Sequence, residues 1–70
     1  MTEIKSNVTG TVIELLCKVG DRVEKDQDVI SVESMKMEMT VQSESAGEVA
    51  EIKVAQDDFI QEGDVLLVLK

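Results

Sequence analysis

The 70-residue chain lacks several residue types on which common protein functions depend. It contains no histidine, tryptophan, tyrosine or proline, and only one cysteine and one phenylalanine. Histidine is absent, Cys17 lies in an apolar run, and no glycine-rich phosphate loop occurs, so we expect no catalytic residues and no metal ligands. A lone cysteine excludes an internal disulfide and favours a reduced, cytoplasmic compartment.

Long hydrophobic runs and an excess of positive charge are also missing. No apolar stretch approaches the roughly 18 residues of a membrane-spanning helix, and the N-terminus has no apolar signal-peptide segment. The formal net charge is -8, from 15 acidic and 7 basic residues, which repels phosphate backbones and anionic lipids. We therefore expect neither a nucleic-acid nor a membrane partner. The acidic surface serves either solubility or docking to basic faces of partner enzymes.

The hydrophobic residues that are present suit one small domain. They make up 43% of the chain although only 1% is aromatic, so the core must be built from Val, Ile, Leu, Met and Ala. A chain of this length supports one modest core, and residues 1–70 are predicted to form a single domain.

An internal repeat organises the chain. Residues 10–15 align with residues 47–52, with Gly on Gly, Val on Val and Glu on Glu. The alignment continues from residues 20–23 to residues 57–60 and, after a one-residue gap, from residues 28–32 to residues 64–68. Two copies are too few for a solenoid, so the halves are predicted to close on each other around a pseudo-two-fold axis.

Short β-branched runs broken by Gly or Asp predict strands rather than helices. Residues 29–32 and 65–69 are the clearest examples. Residues 13–19 fit both helical spacing and alternation, and we predict a strand because the flanking glycines leave little length for a helix. Met37, Met39 and Val41 alternate with polar residues, which predicts another strand following one over residues 28–33.

Lys36 lies between these last two strands and is the only lysine bracketed by methionines. Residues 34–37 are predicted to form a tight hairpin that projects the lysine beyond the sheet. Tight hairpin turns usually need positive φ at their centre, yet this turn has no Gly, Asn or Asp there. A strained Met35-Lys36 pair is therefore predicted.

The run Met35-Lys36-Met37 resembles the modification motif of the biotinyl domains, in which a lysine within Met-Lys-Met carries biotin in amide linkage. In the related lipoyl domains the lysine more often sits beside an acidic and a small residue. The resemblance therefore favours biotin over lipoate on Lys36, with Met35 and Met37 as the flanks that the ligase recognises.

The resemblance to the biotinyl/lipoyl family extends from about Glu3 to Leu69 and implies a fold. That fold is all-β: a flattened barrel, or barrel-sandwich hybrid, of two four-stranded antiparallel sheets with quasi-two-fold symmetry. The modified hairpin would lie at one end and the termini at the other. Asp26 and Asp57 stand where biotinyl domains commonly have glycine, and Asp can adopt left-handed turn geometry at modest cost.

The same resemblance implies a carrier rather than an enzyme. A biotin protein ligase would biotinylate Lys36, and the biotin arm would carry carboxylate between biotin carboxylase and carboxyltransferase sites. Two alternatives stay open: a lipoyl carrier that shuttles acyl groups or reducing equivalents in a dehydrogenase complex, and an unmodified interaction module. We expect a free-standing attachment protein, with the swinging domain of a larger carboxylase or decarboxylase as the alternative.

Some of these residues also have plainer interpretations. Met39 is expected to fill the core rather than meet a partner. Cys17 is expected to be a small buried apolar side chain rather than a reactive thiol. Glu33 and Glu38 either steer the ligase or keep the turn soluble, and solubility is the simpler explanation.

Overall fold

The computed structural model describes residues 1–70 and contains only strands, turns and irregular segments. It has no helix with the length and apolar character needed to cross a bilayer. Every strand pairing is antiparallel. The eight strands are β1 (Thr2–Lys5), β2 (Gly10–Leu15), β3 (Arg22–Val23), β4 (Asp28–Ser34), β5 (Met37–Gln42), β6 (Gly47–Ile52), β7 (Phe59–Ile60) and β8 (Val65–Leu69).

The strands form two four-stranded sheets, in the orders β1-β8-β6-β3 and β5-β4-β2-β7. Exchanging the first four strands with the last four converts one order into the other, which is the mark of a pseudo-two-fold axis. The predicted all-β fold of two four-stranded antiparallel sheets is confirmed.

The strand register follows the same symmetry. Val12 pairs with Val32 as Val49 pairs with Leu69, and the residue after each of these valines is a β-bulge. Symmetry-related positions differ in residue number by the same amount throughout, namely the difference between Gly10 and Gly47. The predicted one-residue gap in the repeat is therefore wrong. The gap had matched residues 28 and 64 because both are Asp, whereas the structure begins β4 at residue 28 and β8 at residue 65.

The core is aliphatic and lies between the sheets. Methionine and alanine, which were expected to contribute, are not among its buried members, because short β-branched and leucine side chains fill the space between the sheets. Its thirteen buried hydrophobic residues are Ile4, Val12, Cys17, Val23, Val29, Ile30, Val32, Val41, Val49, Ile60, Leu66, Leu67 and Leu69.

The segment after β2 departs from the predicted strand. β2 ends at Leu15, so the prediction of a strand over residues 13–19 is wrong beyond that residue. The chain instead leaves the sheet, buries Cys17 and makes a turn in which the Asp21 carboxylate accepts a hydrogen bond from the Lys18 N–H at 3.1 Å. This turn transfers the chain to β3 in the opposite sheet, where it pairs with β6.

Four turn residues outside the β4–β5 hairpin have positive φ, two in each half. Asp26 and Asp57 have φ of 70° and 74°, and Gly63 and Gly20, which occupy the symmetry-related positions, have φ of 95° each. Aspartate therefore takes the left-handed turn positions, as the sequence predicted it could.

The path of the chain places the β4–β5 hairpin and the termini at opposite ends. β2 begins beside Glu33 and runs away from the hairpin, and the following turn leads to β3, which pairs with the start of β6 at Gly47. An added Cβ at Gly47 would lie 3.1 Å from the carbonyl oxygen of the C-terminal Lys70. The body has extents of 32 × 19 × 18 Å, so two distinct ends are available.

Candidate functional site

A two-residue turn joins β4 to β5. Ser34 pairs with Met37, so only Met35 and Lys36 lie in the loop. Their φ angles are 53° and 63°, which confirms the predicted left-handed pair and matches the positive φ of a type I′ turn. Each such residue that is not glycine costs about 1 kcal/mol, so the surrounding ladder must hold the turn in this conformation.

The close packing of Gly10 and one side-chain hydrogen bond stiffen the base of this hairpin. Gly10 packs so closely on the Glu33 carbonyl that a Cβ there would overlap it, and the same Cβ would lie 2.9 Å from a methyl group of Val32. The Ser31 hydroxyl, which is 5% exposed, donates a hydrogen bond to the Glu38 carboxylate at 3.1 Å. A hairpin fixed at its base presents its tip in one orientation, which preorganises the tip for recognition.

Exposure rises along β5 toward the tip. Val41 is 2% exposed, Met39 41%, Met37 65% and Met35 91%. The face that faces the core at Val41 therefore becomes a solvent-facing apolar face at the turn. Met39 is only partly covered, so the expectation that it fills the core is wrong: the apolar face of β5 is buried at Val41 but already open to solvent one step nearer the turn.

The Lys36 amine stands in this apolar setting without an ionic partner. The side chain is exposed, and none of the three ion pairs includes it. Lys53 and Lys70, by contrast, pair with carboxylates at 2.7 and 3.6 Å. An incoming enzyme can therefore approach the Lys36 amine without first displacing a carboxylate.

Two carboxylates lie one step behind the tip. Glu33 and Glu38 are directly opposite each other on β4 and β5, and both are exposed. Like charges in directly opposed positions destabilise a strand pair. The hydrogen bond from Ser31 on β4 holds the Glu38 side chain across the strand pair and offsets part of that cost.

Neither the Cys17 thiol nor the carboxylates form a reactive or metal-binding site. Burial, and secondly the nearby Asp21 carboxylate, raise the pKa of the Cys17 thiol, so the thiolate is disfavoured, as expected for a small apolar side chain. No group of three or more His, Cys, Asp or Glu side chains is placed to hold a metal ion.

Sequence reasoning placed Lys36, Met35 and Met37 together at the hairpin, and the structure brings them together there. It did not identify Gly10 and Ser31 as supports of the hairpin. Gly10 carried a signal, because it aligns with Gly47 in the repeat. Ser31 carried none, since a serine in a strand normally faces solvent.

Comparison with known proteins places the chain in a family. The family model described as biotin-requiring enzyme, for biotin and lipoyl domains, matches residues 1–69. The biotin/lipoyl attachment protein of Bacillus subtilis is 41% identical over 94% of this chain and 90% of its own length. The biotinylated protein TB7.3 homolog of Mycobacterium leprae is 33% identical over 96% of this chain and 94% of its own length.

Similarity also extends to domains of much larger proteins. The dihydrolipoyllysine-residue acetyltransferase component of the Pseudomonas aeruginosa pyruvate dehydrogenase complex is 47% identical over 91% of this chain but only 12% of that protein. The crystal structure of Kluyveromyces lactis urea carboxylase superposes with a TM-score of 0.90 and 33% identity, over 99% of this chain and 6% of that one.

The chain belongs to the biotin/lipoyl attachment domain family. Members of this family are carriers of a covalently attached cofactor and are not themselves catalytic.

Proposed function

We propose that this chain is a biotin carboxyl carrier domain and that Lys36 is its attachment residue. The observation that carries the proposal is the exposed Lys36 amine on a two-residue turn between Met35 and Met37, which are 91% and 65% exposed. Apolar side chains left in solvent beside a reactive position supply a surface that a modifying enzyme can bury. The turn and its two methionines thus serve as one recognition element.

The attachment reaction needs little from the chain beyond geometry. A biotin protein ligase presents biotinyl-adenylate, the Lys36 Nζ attacks the activated carboxyl carbon, the bond to the phosphate oxygen breaks and AMP leaves. Attack requires a free electron pair on Nζ, so the ligase must accept a proton from the amine. The stiff hairpin holds the amine clear of the barrel, which lowers the entropic cost of alignment.

Once attached, biotin supplies the carboxyl-carrying chemistry, and the chain supplies its tether. The lysine side chain swings from a fixed hairpin, so the cofactor reaches partner sites at an effective concentration of about mM, as for short flexible links. Biotin carboxylase and carboxyltransferase are the partners that this role requires, and the similarity to urea carboxylase supports that class. The lone buried cysteine supports a reducing, cytoplasmic setting.

Lipoate is the second candidate cofactor. The support for it is the 47% identity to the acetyltransferase component. The methionines on both sides of Lys36 favour biotin, and so does the biotinylated relative that matches nearly its whole length.

The deciding experiment offers both cofactors in parallel. The unmodified chain is incubated with biotin protein ligase, biotin and ATP, or with lipoate ligase, lipoate and ATP, and its intact mass is followed with time. We expect one biotin per chain, on the peptide that contains Lys36, and a far slower addition of lipoate. One lipoate and no biotin would transfer the assignment to the second candidate, and no adduct would leave an unmodified interaction module.

Two lysine variants make the test specific. Lys36→Arg keeps the positive charge but removes the nucleophile, so the adduct should be lost while the unfolding transition is unchanged. Lys25→Arg is the matched control, since Lys25 is also exposed on a tight turn, and it should be biotinylated at the normal rate.

A third variant tests the choice of cofactor. Met35→Asp introduces the acidic neighbour typical of lipoyl domains, and we expect the biotinylation rate to fall and the lipoylation rate to rise. Unchanged rates with both ligases would show that Met35 does not select the cofactor.

A further inference from the structure

The methionines beside Lys36 have a chemistry of their own. A thioether in a core is protected from oxidants, whereas an exposed thioether reacts with peroxide to give methionine sulfoxide. Met35 and Met37 are 91% and 65% exposed, and neither belongs to the buried core. The chain therefore holds two oxidisable sulfurs immediately on either side of its attachment lysine.

We propose that Met35 and Met37 form an oxidation site that switches acylation of Lys36 off. This inference rests on the proposed function, because it concerns how the same lysine is recognised. The oxidant is a peroxide: its O–O bond breaks, one oxygen bonds to the thioether sulfur, and water leaves when hydrogen peroxide is the reagent. The sulfur loses two electrons, and the peroxide gains them.

The physical consequence is a change of polarity at the recognised surface. A thioether can be buried against an apolar partner surface without loss, but a sulfoxide oxygen is a strong hydrogen-bond acceptor that resists transfer out of water unless it finds a donor. A ligase that packs against Met35 and Met37 would have to desolvate that oxygen. We expect kcat/KM for acylation to fall about tenfold or more for the doubly oxidised chain.

The fold itself should tolerate the change. Both side chains lie outside the buried core, and the backbone bonds of the hairpin do not involve sulfur. Oxidation here differs from the usual lesion, in which a core methionine becomes polar and the protein unfolds. The modification is also reversible, because one reductase exists for each sulfoxide epimer.

The chain contains its own control sulfur. Met1 is 88% exposed, nearly as much as Met35, but it lies beside the termini at the opposite end of the barrel. Exposure alone predicts that Met1 oxidises as readily as Met35. Only the position of the sulfoxide should decide whether acylation is affected.

The test uses the whole unmodified chain. It is treated with hydrogen peroxide, the peroxide is removed with catalase, and peptide mass spectrometry locates the added oxygens before initial rates are measured with biotin protein ligase. We expect sulfoxide at Met1, Met35 and Met37, with a smaller amount at Met39, which is 41% exposed. We also expect a rate reduced about tenfold or more, and recovery after treatment with both sulfoxide reductases. Thermal unfolding should be unchanged by oxidation.

Two double variants separate position from exposure. Met35→Leu with Met37→Leu keeps the flanks apolar but cannot be oxidised, so its rate should not respond to peroxide. Met1→Leu with Met39→Leu keeps only the flanking methionines, besides the buried thiol of Cys17, and it should lose rate on oxidation as the unchanged chain does. The second variant remains informative if the ligase requires sulfur and rejects the leucines.

Two outcomes would overturn the inference without touching the proposed function. One is an unchanged rate in a chain shown to carry sulfoxide at both Met35 and Met37. The other is loss of rate on oxidation when those two sulfurs are absent. Failure of the unoxidised chain to accept biotin would instead refute the biotin assignment. The same comparison would then be made with lipoate ligase, and acceptance of neither cofactor would refute both ideas.

Discussion

The two halves of the barrel agree in their backbone contacts and differ in their surfaces. The Gly20 N–H donates to the Val49 carbonyl at 2.9 Å, and the Asp57 N–H donates to the Val12 carbonyl at 2.8 Å. These bonds are exchanged by the pseudo-two-fold axis and tie each turn to the opposite sheet. The two halves therefore share one backbone arrangement, although few of the symmetry-related side chains are identical.

The exposed side chains at the two ends of the barrel do not follow the symmetry of the backbone. At three pairs of symmetry-related positions, the hairpin end has an acidic or aromatic residue and the end with the termini has a basic one. These pairs are Glu33 and Lys70, Glu62 and Lys25, and Phe59 and Arg22. Backbone contacts and core fix the fold, while the exposed positions of each end are free to acquire a separate role.

The largest difference between the halves should appear at the two repeat glycines. Gly10→Ala forces a methyl group into the Glu33 carbonyl, whereas Gly47→Ala meets the Lys70 carbonyl at 3.1 Å, where the last residue can move. We expect losses of about 3 kcal/mol and about 1 kcal/mol respectively, from a total stability of about 4–10 kcal/mol. Urea unfolding at neutral pH measures both, and equal losses would show that the hairpin base is no tighter than the other end.

The left-handed turns offer a smaller, reciprocal test. Asp26→Gly should stabilise the chain by about 0.5–1 kcal/mol, because it removes a side chain from a left-handed position. Gly63→Asp, at the symmetry-related turn, should destabilise it by a similar amount. Thermal melting of both variants checks the pair. The same sign of change in both would mean that local side-chain contacts outweigh the backbone preference.

Cys17 and its counterpart Val54 allow one half to be converted into the other. Cys17→Val should change stability by less than about 1.5 kcal/mol at pH 7, since the two side chains are similar in size. Because burial and Asp21 raise the pKa of the folded thiol, the unfolded chain releases its proton first as pH rises. Stability of the parent should fall above pH 9.0, the ordinary thiol value, and continue to fall until the folded thiol also ionises.

Urea unfolding from pH 7 to 10.5 tests this expectation, with the valine variant as the reference. The difference between the two proteins should grow with pH in favour of valine. Parallel curves would mean that the thiol titrates alike in the folded and unfolded chains.

The smallest effect concerns the reversed charges at the ends. Glu33→Lys places the residue type of its counterpart Lys70 opposite Glu38 and turns a like-charge pair into an attractive one. We expect a gain of about 0.5 kcal/mol at low salt, which should shrink at high ionic strength. A gain that salt does not reduce would point to packing rather than charge.

Most of the architecture was predictable because it rests on local patterns. Alternation at Met37, Met39 and Val41 predicted β5, and the tightness of the hairpin predicted positive φ at Met35 and Lys36, which the structure contains. The repeat predicted the symmetry. The attachment of a cofactor to Lys36 remains a prediction, because backbone geometry shows an available amine and not its modification.

The wrong predictions concern features that tertiary structure determines: where a strand ends, which residues are buried and how strands are aligned. The strand over residues 13–19 was extended too far, because its alternation continues past the point at which the sheet ends. Met39 was expected to be in the core, since periodicity identifies the apolar face of a strand but not how much of that face the rest of the fold covers. The alignment gap arose because residue identity was given more weight than strand register.

The adjacency of Thr2 and Leu69, paired on neighbouring strands, has a consequence for how such a unit can be connected. Both peptide ends emerge side by side from the pole farthest from Lys36. The barrel could be inserted into a surface loop of a host polypeptide or fused to either terminus of that host. In each case the lysine would still point away from the junction.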